Sequence, residues 1–328
     1  MLSSEDQHAL LNWYDQHQRD LPWRRTRNPW HILLSEILLQ QTQVSRGLVY
    51  WTRMVGAFPT VASMAKAPVD VVLKAWEGAG YYSRARRLHA LSQRVMLSSQ
   101  EGGFDGELPS TYDELLSLPG IGPYTAAAVA SIAFDQPVAC VDGNIRRVMA
   151  RTTAQPEPSA SAVQAWANDV LVGERAGDWN QALMELGATV CTPKRVKCEI
   201  CPISRGCAGK DEPEAYPLPK RQQVKEVVLT AWVELAQDGT PVLMQRPMNG
   251  LFAGLWGPIY LDGLAVPDTD HVHCGTVKHA LSHRKMTVHV VLLAGRNEAF
   301  GVDVSEVAIS TLDERVLALA NEHAQASE

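Results

Sequence analysis

The stretch from Leu118 to Asn144, LPGIGPYTAAAVASIAFDQPVACVDGN, constrains this chain more tightly than any other. It opens on Leu118-Pro119-Gly120-Ile121-Gly122, where two glycines free the backbone for positive φ and leave amide groups uncovered by side chains. A helix of small residues is expected over 125–134, broken by Asp135-Gln136-Pro137. Amides at a helix N-terminus favour an anion such as a phosphate. The stretch closes on Asp142, a carboxylate placed to cap a helix from Ile145 onward. A lone GxG is more often an ordinary turn before a core helix, so the hairpin needs support from the rest of the chain.

At 328 residues the chain is too long for one small core, and two domains are expected. Net charge is −6, which argues against nucleic acid until its distribution is read. The first 210 residues carry +1 and the remainder −7. Basic residues in the first part cluster at Arg24-Arg25-Arg27, Arg84-Arg86-Arg87, Arg146-Arg147-Arg151 and Lys194-Arg195-Lys197. A local basic face can bind phosphates on an acidic protein. The N-terminus, MLSSEDQHAL, lacks the apolar run of an export signal, and no stretch reaches membrane-spanning length. A cytoplasmic, monomeric protein without membrane contact is expected.

Residues 1–207 read as an all-α domain. Helical patterns cover Ser4–His17, Trp30–Leu39, 46–58, 61–64, 69–76, 83–98, 112–117, 125–134, 145–152, 161–171 and 178–190. After Cys207 the composition turns to AGKDEPEAYPLPKRQQ, which reads as a linker over 208–225. Residues 226–328 read as an α+β domain. Strand patterns fall at 227–235, 242–245, 256–260 and 286–293, and a helix at 303–324. His271, His273 and Cys274 are expected on a loop.

Four of the six cysteines, Cys191, Cys198, Cys201 and Cys207, crowd into one short segment. That spacing, in a protein without an export signal, points to a metal centre. Zinc is the common occupant of four thiolates but usually pairs two CxxC knuckles. A [4Fe–4S] cluster also takes four cysteines and fits the closer spacing. Glu36 sits inside the apolar run Leu33-Leu34-Ser35-Glu36-Ile37-Leu38-Leu39. Burial would raise its pKa and make it a proton donor near neutral pH, unless a nearby arginine neutralises it. Glu36 and Asp142 together could cleave a glycosidic bond, one as acid and one stabilising an oxocarbenium ion. Gln40-Gln41-Thr42-Gln43 follows the same helix, and Gly78-Ala79-Gly80-Tyr81-Tyr82 sets two aromatics on a glycine turn. Both suit an enzyme that unstacks bases; the competing readings are the solvent end of a helix for the first and a plain loop with packed tyrosines for the second.

These motifs together resemble the helix-hairpin-helix DNA glycosylases, and within their endonuclease III branch the MutY-type adenine glycosylases. The resemblance rests on LPGIGPYTA, VDGN and C-x6-C-x2-C-x5-C, with LPWR (21–24), SEILLQQTQV (35–44), GAGYYSRARRL (78–88), NQALMELGATVC (180–191), RPMNGLFAGLW (246–256) and SHRK (282–285). It implies a helix-hairpin-helix domain with hairpin 118–124 and iron–sulfur loop 191–207, followed by a Nudix-like lesion-recognition domain. It implies removal of adenine mispaired with 8-oxoguanine or guanine in duplex DNA. Glu36 would protonate adenine N7 and Asp142 would stabilise the oxocarbenium ion, with Tyr124 and Asn144 aligning Asp142 and the sugar. Trp23, Arg24 and Glu185 would line the adenine pocket. Gln41, Thr42 and Tyr81 would sit about the lesion, with Ser282 and His283 reading it. The amides of Gly120 and Gly122 would hold backbone phosphate, with a structural cation possible at the hairpin. Cys191, Cys198, Cys201 and Cys207 would bind the [4Fe–4S] cluster. Tyr124 stands where bifunctional relatives carry lysine, so strand cleavage through a Schiff base is not expected. That tyrosine argues against an endonuclease III-like enzyme for oxidised pyrimidines, and the paired carboxylates argue against a non-catalytic scanning protein. Leu281 and Ala79 depart from the family's phenylalanine and leucine, and the acidic Nudix metal motif is absent.

Overall fold

The computed structural model describes residues 2–219, 224–281, 284–294 and 300–326. Eleven helices come first among them: α1 (Ser4–His17), α2 (Pro29–Leu38), α3 (Val44–Ala57), α4 (Val61–Lys66), α5 (Val69–Ala75), α6 (Ser83–Met96), α7 (Tyr112–Leu116), α8 (Pro123–Phe134), α9 (Gly143–Thr152), α10 (Ala160–Asp169) and α11 (Ala176–Thr189). Strands follow at β1 (Lys225–Val233), β2 (Met244–Gln245), β3 (Trp256–Gly257), β4 (Ile259–Asp262), β5 (His271–Leu281) and β6 (Arg284–Leu293), then α12 (Thr311–Ala326).

Two compact units emerge, and they do not follow the sequence order. One holds 2–66 and 87–219; the other holds 67–86 with the C-terminal residues. Residues 208–219, read as linker, fold with the helical unit. The cause is Arg151, 2% exposed, whose Nε donates to the carbonyls of Pro213 (2.7 Å) and Tyr216 (3.0 Å). A buried guanidinium needs acceptors, and this segment supplies them.

In the helical unit α2, α8, α9 and α11 carry the core. Helix α2 is buried from Ile32 to Leu38, as its apolar run requires. It packs on α8, and α11 packs on both α8 and α9. The approach of α11 is close enough to demand glycine. A Cβ at Gly187 would stand 2.6 Å from the Asn144 Cβ, nearer than any real Cβ contact.

In the second unit a sheet of order β4-β1-β6-β5 runs antiparallel except for the β1–β6 pair. Helix α12 covers one face, burying Leu312, Val316 and Ala320 against Ala231, Val288 and Val290. Strand β5 is the element the sequence hides. His271, His273 and Cys274, expected on a loop, lie on it, because exposed polar residues dominate its first half and a bulge between His273 and Gly275 interrupts its alternation. The final helix begins at Thr311 rather than near 303. No helix among the described residues is long and apolar enough to cross a membrane.

Candidate active site

The proton-donor candidate sits where α2 meets α8. Glu36 is 7% exposed, and the Tyr124 hydroxyl from the first turn of α8 donates to its Oε2 at 2.5 Å. Burial dominates, with smaller help from the Asp142 charge, and raises the Glu36 pKa to about 7 against opposing pulls from Tyr124 and Arg24. A carboxyl poised there can hold a proton at physiological pH and release it to a base. The arginine neutralisation that the sequence left open does not occur. The nearby guanidinium groups bind Glu185 instead.

Glu185, on α11, takes Arg19 Nε on Oε1 (2.7 Å) and Arg24 Nη2 on Oε2 (2.7 Å), with a further bond from Arg19 Nη2. Its burial would raise its pKa, but the two arginines prevail and hold it at about 2. Trp23 is buried with its ring edge-on to Trp51 at 5.8 Å, and Arg24 lies 5.5 Å from the Tyr14 ring centre. Trp23, Arg24 and Glu185 therefore share one neighbourhood, with Glu185 acting first as the counter-ion of two arginines.

Asp142 is the N-cap of α9. Its Oδ1 accepts the Ile145 amide at 2.7 Å and its Oδ2 accepts Asn144 Nδ2 at 2.7 Å. Burial raises its pKa while these donors and Arg147 hold it down, leaving a net increase. Asn144 is itself oriented: Arg147 Nη2 donates to Asn144 Oδ1 (2.8 Å) and Gly187 O (2.7 Å), and Arg147 Nε donates to Cys191 O (2.8 Å). Asn144 and Asp142 are thus directly hydrogen-bonded. The Tyr124 hydroxyl bonds Glu36, because the first turn of α8 faces α2.

The hairpin needs one correction. Gly120 has φ +81°, and a Cβ there would strike the Arg87 side chain at 2.6 Å. Gly122 has φ −102° and is the N-cap of α8, so its glycine serves the uncovered amide rather than a left-handed turn. A Cβ at Gly122 would meet nothing within 4 Å, which leaves its approach open. Gln41 is exposed at φ +58°, beside half-buried Thr42. Tyr81, in the other unit, is 42% exposed at φ +46°. Left-handed non-glycine residues are costly, and they concentrate at functional positions. Ser282 and His283 lie outside the described residues.

Among the described residues no three His, Cys, Asp or Glu side chains are arranged to hold a single metal ion. Cys191, Cys198, Cys201 and Cys207 nevertheless line one cavity, with Val148, Leu186, Val190, Val196 and Ile203 among its walls. Arg151 Nη1 points at Cys191 Sγ from 3.3 Å. Four thiols around an apolar space with a guanidinium beside them fit an anionic iron–sulfur centre. Lys194, Arg195 and Lys197 stay exposed on the loop, as a phosphate-binding surface requires.

Sequence reasoning missed Arg19, Arg147 and Arg151. Arg147 and Arg151 stood in a triplet read as surface charge, whereas Arg147 is half-buried and Arg151 fully buried. Their spacing of four residues, on one face of α9, was the available signal.

The described site has relatives. Residues 34–171 match the HhH-GPD superfamily of base excision DNA repair proteins. A solved thermostable thymine-DNA glycosylase, 29% identical, matches with a TM-score of 0.57 over 63% of this chain and 95% of that one. The helical unit therefore has a DNA glycosylase fold. The adenine DNA glycosylase of Rattus norvegicus is 36% identical across 87% of this chain and 69% of its own length. That of Mus musculus is 32% identical across 96% and 78%. The chain belongs to the adenine DNA glycosylases.

Proposed function

We propose that this protein hydrolyses the N-glycosidic bond of adenine mispaired with 8-oxoguanine or guanine in duplex DNA, leaving the strand uncut. The observation that carries the reading is Glu36: a buried carboxyl, raised to about 7, bonded to a phenol and close enough to Asp142 to feel its charge. In its protonated form Glu36 gives its proton to N7 of the extruded adenine, so that the base departs neutral. Asp142, held by Ile145 and Asn144, stabilises the positive charge that then develops on the sugar, and water completes the displacement. Trp23, Arg24 and Glu185 wall the base; the Gly120 and Gly122 amides, with a structural cation possible, hold the backbone. Gln41, Thr42 and Tyr81 fill the stack, and Ser282 and His283 in a Nudix-like C-terminal domain read the lesion. A [4Fe–4S] cluster, held by Cys191, Cys198, Cys201 and Cys207, would supply a rigid, charged pin for the basic loop. The protein would act in the cytoplasm as a monomer.

The test is single-turnover adenine release from an A:8-oxoguanine duplex. Wild type should release the base and Glu36→Gln should be slower by orders of magnitude. Equal rates refute the acid assignment. Efficient borohydride trapping of wild type on DNA would refute the monofunctional assignment.

A further inference from the structure

Residues 67–86 belong in sequence to the helical region but fold with the C-terminal unit. Within that unit one phenol forms part of the connection. Tyr82 is 8% exposed; its hydroxyl accepts the Gly78 amide (3.2 Å) and donates to Ile309 O (3.1 Å). Ile309 returns a bond, its amide reaching Glu77 Oε1 at 3.0 Å. Lys74 Nζ completes the fastening on Glu77 Oε2 (2.8 Å), Val304 O (3.1 Å) and Val307 O (2.8 Å). The segment that receives these bonds is anchored in turn, since Trp256 on β3 donates its amide to Ala308 O at 2.9 Å.

What this fastening holds is the turn of Tyr81. Gly78 and Gly80, both ahead of it, take φ +83° and +72°, and Tyr81 itself sits at +46°. Trp76 Nε1 donates to Gly80 O (3.0 Å), and Arg84 Nη2 donates to the Ala79 and Gly80 carbonyls, both at 3.1 Å. The Arg84 guanidinium lies 5.4 Å from the Tyr81 ring centre. A left-handed tyrosine persists only where its surroundings over-determine it, and here the 304–309 segment provides part of that constraint.

We propose that Tyr82 is a positioning residue through which the C-terminal unit sets the Tyr81 ring for reading the base opposite adenine. The C-terminal residues thus contribute to lesion discrimination by fixing a tyrosine that the sequence places in the glycosylase region. This rests on the assignment of Tyr81 to the lesion stack. Tyr82 keeps its ring in the core and makes this tie through its hydroxyl, so Tyr82→Phe removes the tie without emptying space.

The experiment compares full-length wild type, Tyr82→Phe, Tyr81→Ala and the double variant on A:8-oxoguanine and A:G duplexes. Tyr82→Phe should lower the preference for 8-oxoguanine about fivefold, the scale of one lost hydrogen bond. In the Tyr81→Ala background it should change almost nothing, since coupled residues are non-additive. An equal loss in both backgrounds, or none in wild type, overturns the proposal. Hydrogen exchange of the 78–81 amides reads the anchor independently of DNA. Faster exchange in Tyr82→Phe supports it and unchanged exchange overturns it. If Tyr81→Ala alone leaves the preference intact while exchange quickens, the lesion role of Tyr81 fails, and with it the discrimination half of the proposal.

Discussion

Tyr124→Phe should move the pH dependence of base release upward. The phenol donates to Glu36 Oε2 at 2.5 Å and so favours the charged carboxylate, while burial favours the neutral acid and sets the pKa at about 7. Removing the hydroxyl leaves burial less opposed. A hydrogen bond to a charged group is worth about 1.5–3 kcal/mol, which corresponds to a rise of roughly one to two pH units. In the proposed mechanism the active form of Glu36 is the protonated one, so activity falls as pH rises through its pKa. The alkaline limb should therefore shift from near neutrality to about one or two units higher. The assay is the single-turnover rate of adenine release between acid and alkaline buffers at saturating enzyme, which isolates chemistry from product release. The rate on the acid side should change far less than the midpoint. An unmoved midpoint, or one that falls, would refute the argument, because it would mean that the phenol does not hold the charged form of Glu36.

Other outcomes follow from the same geometry. Glu36 has a folded pKa raised above its ordinary value, so its neutral form stabilises the protein below about 4.5. That contribution disappears as pH rises through about 7 and amounts to about 3 kcal/mol. Glu36→Gln should therefore melt higher than wild type at pH 8 to 9 and no higher at pH 4 to 5, as calorimetry would show. Glu185 behaves oppositely. Held at about 2 by Arg19 and Arg24, its contribution exists above its ordinary pKa and is lost only as pH falls toward 2. Glu185→Gln leaves Arg24 buried without its counter-charge and should cost about 3–5 kcal/mol in denaturant titrations. Arg147→Gln frees the Asn144 amide from Arg147 and should slow single-turnover release about tenfold or more, the value of one charge-assisted bond. Anaerobically purified protein should contain about four irons and four sulfides per chain; stoichiometric zinc would contradict the cluster assignment.

The helical region was legible because its signals are local. The apolar run around Glu36, the prolines between helices and the Asp142 cap each act within a few residues, and the helices over 4–17 and 112–117 fall within a residue of their expected ends. Asp142 as a cap was readable for the same reason, whereas a role for Asn144 came only from the resemblance. The Tyr124–Glu36 bond was not legible, because it depends on how α8 turns toward α2, which no spacing encodes. Arg147 and Arg151 were hidden by their charge. A run of arginines looks like surface until α11 and the 208–219 segment close over it with carbonyl groups. The grouping of 67–86 with the C-terminal residues was equally invisible, since much of it rests on backbone acceptors at 253, 304, 307 and 309.

Both oxygens of Asp142 carry a hydrogen bond, and that makes its charge observable. Its Oδ1 is the partner of the Ile145 amide, so any event that withdraws charge from the carboxylate weakens that bond at once. Protonation or a transient ester to the sugar would both do so. The Ile145 amide proton is thus a built-in spectator of the sugar chemistry. Its chemical shift and exchange rate would follow the charge of the Asp142 carboxylate, the group proposed to face the sugar, without any label in the DNA.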